Sequence, residues 1–253
     1  MCLLALAWRI SGRWPLVLAA NRDERHDRRS APAHRWPEAP QVLAGQDLEH
    51  GGTWLGVAET GRLVLVTNVR APLDLGGTRQ SRGLLARRFL TGELNAEALG
   101  ALDLEAFNPF NLIGVEGPEA VFLSNRPTPE RRALPAGIYG LSNGALDEPW
   151  PKTVRLKGEL QRWLDQGRGD PELLFEALAD EARPADHALP DTGVGLDRER
   201  ILASAFIRGE VYGTRCSTVV LVGADGRGRL LERSFGPRGE RTGDVGLEFA
   251  WPS

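Results

Sequence analysis

Lysine is almost missing from this 253-residue chain: it stands only at positions 152 and 157, and nearly all the basic charge is arginine. Those arginines are interleaved with Asp and Glu, and the formal net charge is −3. Nothing therefore draws the chain towards nucleic acid or an acidic membrane surface, and no nucleic-acid partner is expected. Cysteine is equally scarce. Cys2 and Cys216 cannot build a disulfide framework, no CxxC pair exists, and His26, His34, His50 and His187 lack the i, i+4 spacing of a helical metal site. No metal or other cofactor is expected. Long apolar runs are missing too. Leu3 to Trp8 and Leu16 to Ala20 have the look of a signal peptide, but no basic segment precedes them, and Arg9, Gly12 and Arg13 split the run. Neither half reaches the ~18–20 residues a bilayer requires. The expectation is a cytoplasmic protein with no transmembrane segment.

The chain is 42% hydrophobic and 26% charged, enough to bury a sizeable core as a single domain over residues 1–253. Cys2 to Trp8 and Pro15 to Ala20 read as two strands joined at Ser11-Gly12-Arg13. Both are nearly all apolar rather than alternating, which predicts a sheet covered on both faces. A polar, Pro-bearing stretch through His50 reads as a long loop. Thr53 to Val57 and Leu63 to Val69 form a second hairpin, and Phe110 to Val115 and Ala120 to Ser124 a third. A short apolar stretch follows at Gly137 to Leu141. Helical spacing marks Ser81 to Thr91, Ala96 to Leu104, Pro151 to Gln166, Pro171 to Glu181 and Arg200 to Ile207, with 183–198 a surface loop. Thr218 to Val222 and Leu230 to Ser234 close the chain as a strand pair. Hairpins at both ends with helices grouped between them argue against a parallel βαβ sheet, and two antiparallel sheets covered by helices fit better.

Cys2 carries the sharpest chemistry. Removal of Met1, which a small second residue permits, would leave a thiol and a free α-amine on one residue. An amine with a pKa of about 7.7–8.0 can take the proton of a thiol near 8.5, so the pair is a nucleophile with a built-in base. It would attack an acyl carbon and release the acyl group to water. The competing reading of Cys2 is a small apolar residue that begins a buried strand. Asp23 ends the second strand, beside the first, where a carboxylate can orient the amine; a polar turn is its structural alternative. Asn68 and Asn143 stand at strand ends, where each either donates its NH₂ to an oxyanion or braces a turn. Arg215 precedes a late strand and can hold Asp23, a substrate carboxylate or a structural ion pair. Cys216 reads as a small buried hydrophobe.

In order along the chain, Met1-Cys2, Leu18-Ala19-Ala20-Asn21-Arg22-Asp23-Glu24, Gly51-Gly52-Thr53-Trp54-Leu55-Gly56, Thr67-Asn68, Phe110-Asn111-Leu112-Ile113, Tyr139-Gly140-Leu141-Ser142-Asn143, Pro149-Trp150 and Tyr212-Gly213-Thr214-Arg215 form an ordered signature. It resembles the NRDE family, also called the transport and Golgi organisation protein 2 family, across essentially the whole chain. The resemblance implies an α+β fold, a four-layer αββα sandwich of two antiparallel sheets similar to penicillin V acylases and bile-salt hydrolases. It also implies Cys2 as nucleophile, with Asp23, Asn68, Asn143 and Arg215 in the supporting catalytic roles. Asn21, Arg22 and Trp54 are the residues expected to touch a substrate. One departure concerns the Arg that the acylases place three residues before the Asp. That position is Ala20 here and the Arg stands at 22, where a strand neighbour of Asp23 is expected on the opposite face.

Two other functions compete. Gly140-Leu141-Ser142-Asn143-Gly144 matches GxSxG with His187 downstream, but a nucleophile elbow must open a helix, and here Pro149 and Pro151 follow a polar turn. The stronger rival is a non-enzymatic pocket protein that carries a lipid, acyl or porphyrin-like ligand, with Cys2 as a contact. In either case the expected partner is a small molecule.

Overall fold

The computed structural model describes residues 2–70 and 79–252. Strands β1 (Cys2–Trp8) and β2 (Leu16–Arg25) form the opening hairpin. Their apolar character follows from where alternate side chains go. Leu4, Leu6, Leu16 and Leu18 enter a core between two sheets, while Leu3, Ala5, Val17 and Ala19 enter a second core against helices. Each fully buried Leu contributes about 2 kcal/mol of hydrophobic stabilisation, so a strand with two dry faces needs no polar alternation.

β2 runs on past Ala20 through the Asn-Arg-Asp-Glu string because a late strand pairs with that segment. The expected loop through His50 is instead two strands, β3 (Ser30–Trp36) and β4 (Ala39–Asp47). β3 is the edge of its sheet, which tolerates Pro32 and polar residues because only one side of its backbone must pair. β5 (Leu55–Ala58) and β6 (Arg62–Asn68) follow, then helices α1 (Arg82–Thr91) and α2 (Ala96–Gly100). β7 (Phe110–Glu116), β8 (Glu119–Ser124) and the wholly exposed β9 (Glu130–Ala133) finish a seven-stranded antiparallel sheet in the order β3-β4-β5-β6-β7-β8-β9.

β10 (Gly137–Leu141) returns to β1. Helix α3 (Pro151–Gln166) starts on Pro151 and stops on Gly167, whose φ of 63° supplies the left-handed cap. α4 (Glu172–Leu178) and α5 (Leu196–Ile201) come next. The helix expected over Arg200 to Ile207 thus ends at Ile201, and residues 202–207 are buried without regular structure. β11 (Tyr212–Val222), β12 (Arg227–Phe235) and β13 (Arg241–Ala250) complete a six-stranded sheet ordered β10-β1-β2-β11-β12-β13. β13 is also an edge, and it alternates only in its second half, where Val245, Leu247 and Phe249 pack on the core between the sheets.

Three cores stack in register with these layers. α1 and α2 cover the seven-stranded sheet, α3 and α4 cover the six-stranded one, and the third core fills the space between the sheets. The fold is the expected αββα sandwich. No helix among the described residues is long and apolar enough to cross a membrane.

Candidate active site

A cleft of about 370 Å³ opens where β1 begins, and Cys2 stands in it with Arg22, Asp23, Trp54 and Asn68. Met1, whose removal the cysteine reading requires, lies outside the described residues. The register explains the gathering. Cys2 pairs with Arg22, and Arg22 with Cys216, so all three project from one face of the sheet. Ala20 and Arg22 are two residues apart on that same face. Arg22 lines the cleft with Cys2, on the strand face opposite Asp23 as the alternation predicts.

The guanidinium of Arg22 lies 4.2 Å from the ring centroid of Trp54, a cation–π stack. Two glycines make room for it. A Cβ on Gly45 would stand 2.3 Å from the Trp54 ring, and one on Gly52 would stand 2.3 Å from the backbone of Gly83. The Gly-Gly-Thr-Trp string is thus a close-packing device that lays Trp54 over β4 and brings its loop against the start of α1.

Asp23 is buried, and Thr214 Oγ1 donates to its Oδ1 at 2.7 Å. Tyr212 donates its hydroxyl to the Asp23 carbonyl at 3.1 Å. Burial pushes the carboxyl above its usual range, against the pull of the Lys152 ammonium, the Thr214 hydroxyl and Arg70. Lys152 is itself buried in the first turn of α3, where its Nζ donates to the Leu202 carbonyl at 2.8 Å. Burial lowers its pKa to about 8, with Asp23 as the main opposing charge. Behind them Arg70 and Glu199 form a buried ion pair, and Arg70 lies 5.0 Å from the Trp150 ring centroid. The Cys2 thiol is raised by burial and by Asp23, and Arg22 draws it down.

Asn68 lines the cleft, whereas Asn143 sits behind it. Asn143 Nδ2 donates to Asn68 O at 2.8 Å and to Asn68 Oδ1 at 3.1 Å, so Asn143 holds Asn68 by both of its oxygens. Ser142, the centre of the GxSxG match, donates to the Cys2 carbonyl at 3.0 Å and braces β1.

Two expected site residues are elsewhere. Asn21 is buried on the helix-covered face, donating to the carbonyls of Leu178 and Ala205, both at 2.8 Å, and accepting from Ser217 at 2.6 Å. It ties the sheet to α4. Arg215 is carried away by a bulge in β11 between Thr214 and Cys216, and it donates to the carbonyls of Arg25 at 2.8 Å and Arg28 at 3.0 Å. Asp23 receives a hydroxyl from Thr214 instead. Sequence reasoning missed Thr214 and Lys152. The signal for Lys152 was its rarity, because a chain nearly devoid of lysine places one in the first turn of a helix.

Residues 1–237 match the family described as Transport and Golgi organisation 2. The chain belongs to that family. It is 37% identical over 239 residues to the Transport and Golgi organization protein 2 homolog of Bos taurus, covering 87% of this chain and 86% of that one. The Homo sapiens homolog is 34% identical with the same coverage. The Drosophila melanogaster protein is 28% identical over 263 residues, covering 90% of each chain. Among solved structures, the C2A mutant of the conjugated bile acid hydrolase from Clostridium perfringens superposes with a TM-score of 0.53 at 10% identity, covering 98% of this chain and 92% of that one. Penicillin V acylase from Agrobacterium tumefaciens gives 0.51 at 11% identity, covering 92% and 83%. These two share the αββα fold with this family member.

Proposed function

We propose that this chain is an N-terminal cysteine hydrolase that cleaves an amide or other acyl bond of a small molecule. The observation that carries the reading is Cys2 at the start of β1, in a cleft shared with Asp23, Arg22 and Asn68. Burial raises the thiol, so little thiolate exists without a base, and the α-amine exposed by loss of Met1 is the base at hand. Asp23, fixed by Thr214, orients that amine.

The amine takes the thiol proton as sulfur attacks the acyl carbon and the S–C bond forms. Asn68 donates its NH₂ to the resulting oxyanion. Collapse breaks the C–N bond, and the proton held by the amine leaves with the departing amine of the substrate. Water then attacks the thioester, giving its proton to the α-amine. The S–C bond breaks, the acid departs, and the thiol is restored. Arg22, stacked on Trp54, places its charge beside the sulfur and favours the thiolate.

The test joins N-terminal sequencing to a panel of acyl amides and thioesters. Active protein should begin at Cys2, and Cys2→Ala should abolish turnover while leaving the melting temperature within about 2–4 °C, since only one small polarisable group is lost. Full activity in Cys2→Ala, or in protein that retains Met1, overturns the reading. A ligand that co-purifies with protein that cleaves nothing would mark the cleft as a carrier's.

A further inference from the structure

Among the described residues, the arginines that line the cleft outnumber its carboxylates. Of its arginines, Arg28 is answered by Asp47 at 2.6 Å and by Glu24 at 4.0 Å. Arg22, Arg79 and Arg82 line the same cleft, and none of them forms an ion pair among the described residues. Arg79 donates to the Glu105 carbonyl and Arg82 to the Pro109 carbonyl at 2.7 Å, both neutral acceptors. Arg22 is only 6% exposed, and its Nη1 is buried with no hydrogen-bond partner.

The start of α1 adds to the excess. Ser81 caps this ten-residue helix, Arg82 is its first residue, and its first turn contains no acid. A cation at the positive end of a helix is placed against the local electrostatic preference, which asks for an anion there. The loop at Gly52 packs its backbone directly on Gly83, and the start of α1 lines the cleft beside it. Arg82 lines the same cleft as Cys2, and although burial opposes its charge, Cys2 and Glu24 favour it.

We propose that this cleft takes acyl substrates bearing a compact anion, a carboxylate or a phosphate, seated by Arg22, Arg79, Arg82 and the start of α1. The placement of the acyl carbon over Cys2 rests on the hydrolase reading; the anion seat does not. The stated volume is that of a small-molecule headgroup site, and the unpaired guanidiniums are fork-shaped donors matched to carboxylate and phosphate oxygens.

The experiment measures equilibrium binding to the Cys2→Ala protein by calorimetry. The probes are N-octanoylglycine, the phosphate monoester of N-octanoylethanolamine, and neutral N-octanoylethanolamine. At least one anionic probe should bind about tenfold or more tighter than the neutral one, and the preference should shrink as salt rises. Which anion wins separates a carboxylate from a phosphate. Arg82→Gln should remove about tenfold of the anionic affinity and leave the neutral probe unchanged, and Arg79→Gln gives the same reading if Arg82→Gln folds poorly. Equal affinity for all three probes, no binding of any, or a loss in Arg82→Gln that is equal for all three overturns the proposal. Preserved anion preference in a protein that turns over nothing would sink the hydrolase reading alone. Turnover without the preference would sink the anion seat alone.

Discussion

Glu199 offers the most direct test of the buried charges behind the cleft. Its carboxylate pairs with Arg70 between side chains that are 3% and 4% exposed. Its Oε1 also accepts from the Thr192 N–H at 3.0 Å and the Thr192 hydroxyl at 2.5 Å. Arg70 follows β6, so the pair ties the inter-sheet end of the cleft to α5 and closes the chain over Lys152. Glu199→Gln keeps the shape and the acceptor for Thr192 but removes the charge. A guanidinium would then be buried beside the Lys152 ammonium without its carboxylate. Breaking a buried pair from one side costs about 3–5 kcal/mol. At about 2–4 °C per kcal/mol for a chain of this size, the melting temperature should fall by roughly 6–20 °C in calorimetry at pH 7. Removing both charges, as in Arg70→Met with Glu199→Leu, should cost less than Glu199→Gln alone, because neither member of the pair is left buried without the other. A fall of less than about 2 °C in Glu199→Gln, or a double variant more damaged than the single one, would refute the argument.

Lys152 makes stability depend on pH in a stated direction. Its pKa is lowered to about 8 in the folded chain against about 10.4 in the unfolded one, so between those values the unfolded chain binds more protons and stability rises with pH. The contribution is about 3 kcal/mol across that window. Urea midpoints from pH 7.5 to 10.5 should climb less steeply in Lys152→Met, and parallel curves would show that this ammonium is not strained by burial. Gly45→Ala tests the stack over the cleft. Its Cβ lands 2.3 Å from Trp54, which must swing off Arg22, at a cost of about 1–3 kcal/mol and with a changed tryptophan emission. An unchanged midpoint and spectrum would mean the ring adapts in place.

Much of the fold was legible because burial writes itself into local pattern. The two apolar faces of β1 and β2, the caps of α1 and α3, and the short first hairpin that sets Cys2 beside the end of β2 follow from residues close in sequence. The strands that escaped notice are β3, β4, β9 and β13; β3, β9 and β13 are sheet edges, and the prolines and polar residues through β3 and β4 hide a period that backbone pairing does not need. In the site, Asn21 and Arg215 were expected to serve the chemistry because they belong to conspicuous strings. A one-residue alternation sends Asn21 to the helix face, and a bulge diverts Arg215. Neither can be read from composition.

By itself, then, the sequence determined the kind of fold and the pairing of Cys2 with the strand that bears Asp23, since both depend on near neighbours and on strand period. Which charges meet was decided only in three dimensions. Thr214 donates to Asp23 and Lys152 acts on its charge, while Arg79 and Arg82 line the cleft that holds Cys2, from segments separated by tens to nearly two hundred residues. The physical reason is that a side chain's electrostatic role depends on what surrounds it after packing, on burial and on opposing charge, and chain order specifies neither.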